Sequence, residues 1–312
     1  MSDIKKFLVC GGGMMGSAIA QILAGLDGAK VTVYDVYPVD IEAKVRNNMK
    51  LLVEKGIVTE ADVDHIVSKI SFTQDMHSEG VKSAQLVIEC VLEDMELKQN
   101  LFAQLEEVVA EDTIFCTNTS VMSPTEISSK CKHKERLCGT HFWNPAYLVP
   151  LVEVIRTKYV SEETVAAVFQ LMEEAGKKPV LVKKDVPGFL ANRMQHALFR
   201  EAISIVENGI AEAGDVDDAI KYGFGMRLGV SGPMEVIDRG GLDLTYSIHK
   251  YLFPHIESSA EPSKLMVQLM DEGKLGFKTG EGFQLWSPGQ VKASNETLTR
   301  GLIQVSRALG RL

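Results

Sequence analysis

Gly11, Gly13 and Gly16 stand between a short apolar run, Phe7-Leu8-Val9-Cys10, and a stretch from Ser17 to Leu26 whose apolar residues recur at helical spacing. Val31-Thr32-Val33-Tyr34-Asp35 then restores a strand pattern, so the chain opens as strand, glycine turn, helix and strand. In such a unit the first glycine permits a tight turn, the second lets the backbone approach a pyrophosphate, and the third lets helix and sheet pack closely. The N–H groups and dipole of the helix start attract the phosphates. Asp35 follows Gly16 by 19 residues, at the end of the second strand. A carboxylate there accepts ribose hydroxyls and repels a 2′-phosphate, and no Arg or Lys follows within several residues, so the expected cofactor is NAD.

Further strand-like runs at Ala84 to Cys90, Thr113 to Thr117 and Leu137 to Thr140 alternate with helical stretches, which predicts a parallel sheet covered on both faces. Asp40 to Ser68 reads as a helical pair, and Lys178 to Lys184 as a late strand. Asp185-Val186-Pro187-Gly188 punctuates the chain. Beyond it Leu190, Met194, Ala197, Leu198, Ala202 and Ile205 form the stripe of a long helix expected to be buried. The fold class is α/β: a Rossmann-type doubly wound sheet domain over residues 1–186, then an all-α domain over 187–312 for substrate and dimerisation. With no long linker, the two are expected to pack closely and share a cleft.

The formal charge of −9 opposes non-specific binding to nucleic acid or an anionic membrane surface, leaving small molecules as the favoured partners. No apolar run approaches the ~18 residues of a membrane span, and the opening lacks a signal-peptide pattern, so the expected location is the cytoplasm. Five cysteines, odd in number and without a C-x-x-C pair, imply neither a disulfide framework nor a zinc site. They are expected to be reduced and mostly buried. None of the seven histidines has metal-ligand spacing, so no metal is expected.

Oxidising a secondary alcohol needs a base for the hydroxyl proton, and the reverse needs the same group as an acid; histidine suits both near neutral pH. Asn118-Thr119-Ser120, Gly139-Thr140-His141-Phe142-Trp143-Asn144-Pro145 and Pro150-Leu151-Val152-Glu153-Val154 supply the candidates. His141 is the candidate acid and base. Glu153 would fix its tautomer, although the spacing alone does not show that they touch. Together with the glycine motif, Asp185-Val186-Pro187-Gly188-Phe189 leading to Asn192-Arg193, and Gly273-Lys274-Leu275-Gly276-Phe277-Lys278-Thr279-Gly280, these segments resemble the 3-hydroxyacyl-CoA dehydrogenase family over nearly the whole chain. The resemblance implies that Ser120 and Asn192 hydrogen-bond the substrate oxygen. It also places Glu93 and Lys98 near the cofactor, where Lys98 meets the nicotinamide-side ribose or a substrate carbonyl; the alternative is a surface helix pair.

The resemblance implies an NAD-dependent dehydrogenase of short-chain L-3-hydroxyacyl-CoA thioesters, within fatty acid metabolism, paired as a homodimer through the helical domain. Arg46, Lys50 and Lys55 either approach a CoA phosphate or form a solvated helix face. The family also includes enzymes of free hydroxy acids and related compounds, including carnitine, gulonate and substituted pyridines. The segment Gly223-Phe224-Gly225-Met226-Arg227-Leu228-Gly229-Val230-Ser231-Gly232-Pro233 is longer than is typical of the thioester enzymes and is similar to that of the free-acid relatives. Arg227 either clamps a substrate carboxylate or bridges to an acidic neighbour in a partner subunit. Arg227 and Asn144 are the candidates on the substrate side, and Trp143 also departs from the common thioester pattern. A third class is a non-catalytic, crystallin-like NAD-binding protein, against which the intact His141, Glu153, Ser120 and Asn192 argue.

Overall fold

Alternating residues of the first strand face two different cores: Phe7 and Val9 enter one cluster, Leu8 and Cys10 the other. A strand buried on both sides must be apolar at every position, which is why these runs do not alternate in polarity. The computed structural model describes residues 4–311. The chain packs as two units, one extending to Arg193 and the other beginning at Met194.

The first unit contains, in chain order, β1 (Lys6–Cys10), α1 (Met14–Ala24), β2 (Lys30–Tyr34), α2 (Ile41–Glu54), α3 (Glu60–Ser68), β3 (Ile70–Thr73), α4 (Glu79–Lys82), β4 (Leu86–Glu89), α5 (Met95–Glu106) and β5 (Ile114–Thr117). It continues through α6 (Pro124–Ile127), β6 (Leu137–Phe142), β7 (Leu151–Ile155), α7 (Glu162–Glu174) and β8 (Lys178–Val182) to the start of α8 (Ala191–Glu207). The strands form one eight-stranded sheet in the order β3-β2-β1-β4-β5-β6-β7-β8. Its first six have the Rossmann order, in which ligands lie outside the carboxyl ends of the strands where the order reverses, here between β1 and β4. Asp40 caps α2, and a Thr59–Asp62 capping box opens α3, giving the expected helical pair.

Two features differ from the sequence-based expectation. The sheet is not wholly parallel, because β7 runs antiparallel to β6. Only residues 143–150 connect them, too few for the crossover of a dozen or more residues that a parallel pair requires. The second difference is α8. Its apolar stripe is not buried: Asn192 is its only fully buried residue, while Met194 and Phe199 are exposed.

The second unit carries the rest of α8 with α9 (Ala213–Tyr222), α10 (Gly225–Leu228), α11 (Pro233–Gly240), α12 (Leu242–Leu252), α13 (Lys264–Asp271) and α14 (Pro288–Ala308). Ile303 is the only fully buried hydrophobic side chain among its described residues, whereas Tyr222, Met226, Met234, Leu242, Tyr246 and Tyr251 are exposed. Its helices present more apolar surface than they cover themselves, which is why the α8 stripe stays open. No helix among the described residues is long and apolar enough to cross a membrane.

The glycines of the first turn divide by what limits them. A Cβ on Gly16 would lie 1.8 Å from the Gly11 carbonyl oxygen, whereas one on Gly13 would meet nothing within 4 Å. Gly16→Ala is therefore expected to lower unfolding free energy by about 1–3 kcal/mol in urea denaturation. Gly13→Ala should leave stability within about 0.5 kcal/mol of the parent while weakening NAD binding measured by calorimetry.

Candidate active site

The antiparallel pairing of β6 and β7 sets His141 directly opposite Glu153. Side chains so placed share one face of the sheet with their Cβ atoms about 5 Å apart. Both are buried, and His141 Nδ1 lies 2.8 Å from Glu153 Oε2. An ionised carboxylate only accepts, so Nδ1 carries the proton of this bond and Nε2 has no hydrogen-bond partner among the described residues. Trp143 Nε1 also donates to Oε2, at 3.2 Å. The backbone N–H groups of Leu190 and Ala191 donate to Oε1, at 2.8 and 3.0 Å.

Those two N–H groups reach Glu153 because the chain turns sharply at Gly188 and Phe189, with φ of 75° and 51°. A left-handed conformation is ordinary for glycine but strained for phenylalanine. Phe189 is wholly buried, its ring centroid 5.7 Å from that of His141. Burial pushes the Glu153 carboxyl up, but the donors from His141, Ala191, Leu190 and Trp143 outweigh it and hold the group below the ordinary carboxylate range.

Hydrogen bonds join three of the remaining candidates to one another. Asn192 Nδ2 donates to the Ser120 carbonyl oxygen at 3.0 Å, and the Ser120 N–H donates to Glu93 Oε1 at 3.0 Å. The Ser120 hydroxyl has no hydrogen-bond partner among the described residues. Asn118 Oδ1 accepts the N–H of Phe142 at 2.8 Å, tying the end of β5 to β6. Asn144 is exposed on the β6–β7 loop, and its side chain has no hydrogen-bond partner among the described residues.

Glu93 and Lys98 are not a surface pair. Lys98 is 1% exposed and bridges two carboxylates, Glu89 at 2.7 Å and Glu93 at 3.1 Å. Glu89, which sequence reasoning missed, ends β4 and also accepts from Thr117 Oγ1 and the Val91 N–H. Burial pushes its carboxyl up, against the pull of Lys98, Thr117 and Val91. The available signal was a lone charge closing the apolar run Leu86-Val87-Ile88.

The glycine turn fits a dinucleotide. Gly11 has a φ of 100°, α1 starts with no side-chain cap and no acidic residue in its first turn, and the space over Gly13 is open. Asp35 is held by the Gly12 N–H at 2.7 Å on Oδ2 and the Tyr37 N–H at 3.0 Å on Oδ1, leaving a further acceptor position on each oxygen for ribose hydroxyls. Arg46 pairs with Glu42 and Asp64, both at 2.8 Å, on an exposed helix face. Arg227 lies in the second unit on α10, exposed, with no ion-pair partner among the described residues. No group of three or more potential metal ligands occurs among the described residues.

Removing one member of a buried ion pair strands its partner. Lys98→Met should therefore cost about 3–5 kcal/mol in urea unfolding, and Lys98→Met with Glu89→Leu should recover part of that loss.

The chain matches the NAD binding domain of 3-hydroxyacyl-CoA dehydrogenase over residues 6–186 and the C-terminal domain over residues 188–286. It is 33% identical over 309 residues, 98% of both chains, to the 5-formyl-3-hydroxy-2-methylpyridine 4-carboxylate 5-dehydrogenase of Mesorhizobium japonicum. It is 37% identical over 285 residues, 90% of this chain and 97% of the other, to a probable 3-hydroxybutyryl-CoA dehydrogenase of Bacillus subtilis. A crystal structure of a 5-formyl-3-hydroxy-2-methylpyridine 4-carboxylic acid 5-dehydrogenase, described as an NAD+ dependent dismutase, matches with a TM-score of 0.90 and 32% identity, covering 98% of this chain and 99% of that one. The protein therefore belongs to the 3-hydroxyacyl-CoA dehydrogenase family and is an NAD-dependent oxidoreductase.

Proposed function

We propose that the protein oxidises a hydroxyl group to a carbonyl on a small substrate that carries a free carboxylate, with His141 as the general base and, in reverse, the general acid. The observation that carries the reading is the buried His141–Glu153 pair, which commits Nδ1 and leaves Nε2 without a hydrogen-bond partner among the described residues. NAD, bound by the Gly11–Gly16 turn and Asp35, supplies the hydride acceptor. His141 takes the hydroxyl proton at Nε2 and returns it in the opposite direction. Glu153 holds the tautomer and stabilises the imidazolium. The Ser120 hydroxyl and the second N–H of Asn192 Nδ2 are donors for the substrate oxygen. Lys98, being buried between two carboxylates, acts through Glu93 on the position of Ser120.

Two observations favour a free acid. The match to the pyridine carboxylate dehydrogenase extends over 98% of both chains, and Arg227, with no ion-pair partner among the described residues, offers a guanidinium suited to a bidentate bond with a carboxylate. The ion pairs of Arg46 favour a solvated helix face over a CoA-phosphate contact. The short-chain L-3-hydroxyacyl-CoA reading is the second, and the 37% identity to the Bacillus subtilis relative favours it. We further propose a cytoplasmic homodimer that covers the exposed apolar helices of the second unit.

NADH formation is the test, with 3-hydroxybutyrate, gulonate, carnitine and L-3-hydroxybutyryl-CoA compared in parallel with 5-formyl-3-hydroxy-2-methylpyridine 4-carboxylate, in which the hydroxyl oxidised would be that of the hydrated formyl group and the product a carboxylate. Turnover of a free carboxylate is expected, with Arg227→Met raising its KM about 10-fold or more. Preference for the thioester overturns the free-acid reading. His141→Ala should lower kcat about 10²-fold or more on either substrate, and unchanged turnover would remove His141 from the reaction.

A further inference from the structure

Glu153 has two oxygens and four donors. Oε1 is occupied by the backbone N–H groups of Leu190 and Ala191, whereas Oε2 is shared by two side chains, His141 at 2.8 Å and Trp143 at 3.2 Å. The backbone donors come with the fold; the indole depends on one residue. Trp143 is half-buried at the start of the β6–β7 loop, and its ring centroid lies 5.5 Å from that of His141.

We propose that Trp143 is a positioning residue that sets how tightly His141 holds its proton, by drawing charge from the same carboxylate oxygen that His141 is bound to. Donors on both oxygens lower the basicity of the carboxylate, so the proton shared with His141 stays on Nδ1. An N–H donor on Oε2 disperses the charge that would otherwise stabilise the imidazolium. Trp143 therefore weakens the hold of Glu153 on protonated His141 and favours the neutral base needed to oxidise an alcohol. The inference rests on His141 being the proton acceptor.

Other ionisable groups surround the pair on neighbouring elements. Glu93 and Lys98 are linked through Ser120 to Asn192, which follows the Glu153 donor Ala191 in the chain. Lys177 donates to the carbonyl oxygens of Ala146 and Val149 on the loop that carries Trp143. Asp185 is bound by Ser123 and Thr125, and Arg193 donates to the Pro187 carbonyl oxygen. All remain in a Trp143 variant, so the difference between variant and parent isolates the indole. Burial lowers Lys177 to about 8, so the acid side of the profile is the informative one.

The experiment is the pH dependence of kcat/KM for NAD reduction in the parent and in Trp143→Phe, which keeps an aromatic ring and removes the N–H. The expected result is an acid limb displaced to higher pH by about half a unit, with KM for NAD unchanged. A Trp143→Phe profile that superimposes on the parent's, with His141→Ala inactive, overturns this inference alone; an active His141→Ala overturns the proposed function as well. A second measurement leaves Trp143 in place. The chain has two tryptophans, so Trp286→Phe leaves Trp143 as the sole indole. Its emission should be quenched on acidification over the range where activity is lost, and His141→Ala should abolish the step. Flat emission, or a step that persists without His141, contradicts the coupling.

Discussion

A carboxylate removed from water is tolerated only if its charge is met by donors, and Glu153 is wholly buried. Its four donors come from β6, from the β6–β7 loop and from the chain entering α8. Much of the local architecture follows from that requirement. The antiparallel pairing of β7 with β6 sets Glu153 opposite His141. The chain must turn at Gly188 and Phe189 for two successive N–H groups to converge on Oε1. Those groups sit at the start of a 17-residue helix, whose dipole adds to the stabilisation of the anion.

The same carboxylate places one end of a polar chain across the carboxyl edge of the sheet. From Glu153 the path runs through the start of α8 to Asn192, on to the Ser120 carbonyl, Glu93, Lys98 and Glu89. Glu89 ends β4, beside the switch point where the strand order reverses. Two buried carboxylates thus bracket Ser120, each satisfied by its own donors, so the residues between them are fixed by hydrogen bonds that would be costly to break.

The glycine turn and Asp35 were legible in the sequence because each is a local requirement: a turn, a close approach and an acceptor at a strand end. The register of His141 against Glu153 was not, since a spacing of twelve residues fits many geometries until the short loop imposes the antiparallel return. Lys98 illustrates a different limit. Its spacing from Glu93 leaves a surface pair and a place near the cofactor both open, and only tertiary packing, with Glu89 brought alongside by β4, makes it a buried bridge. The stripe on α8 was read correctly as apolar, but periodicity does not reveal whether a face is covered within the same chain. Strand β3 escaped notice because four partly exposed residues at a sheet edge carry little pattern.

The proposed chemistry needs Glu153 as a charged partner of His141 and not merely as a cap for α8. Glu153→Gln keeps the size while removing the charge and one of the two acceptor oxygens. Measured with saturating NAD and substrate, kcat should fall about 10²-fold or more while the dissociation constant for NAD stays within about twofold. A variant that turns over at the parent rate while losing only stability would contradict the claim and reduce Glu153 to a structural anchor.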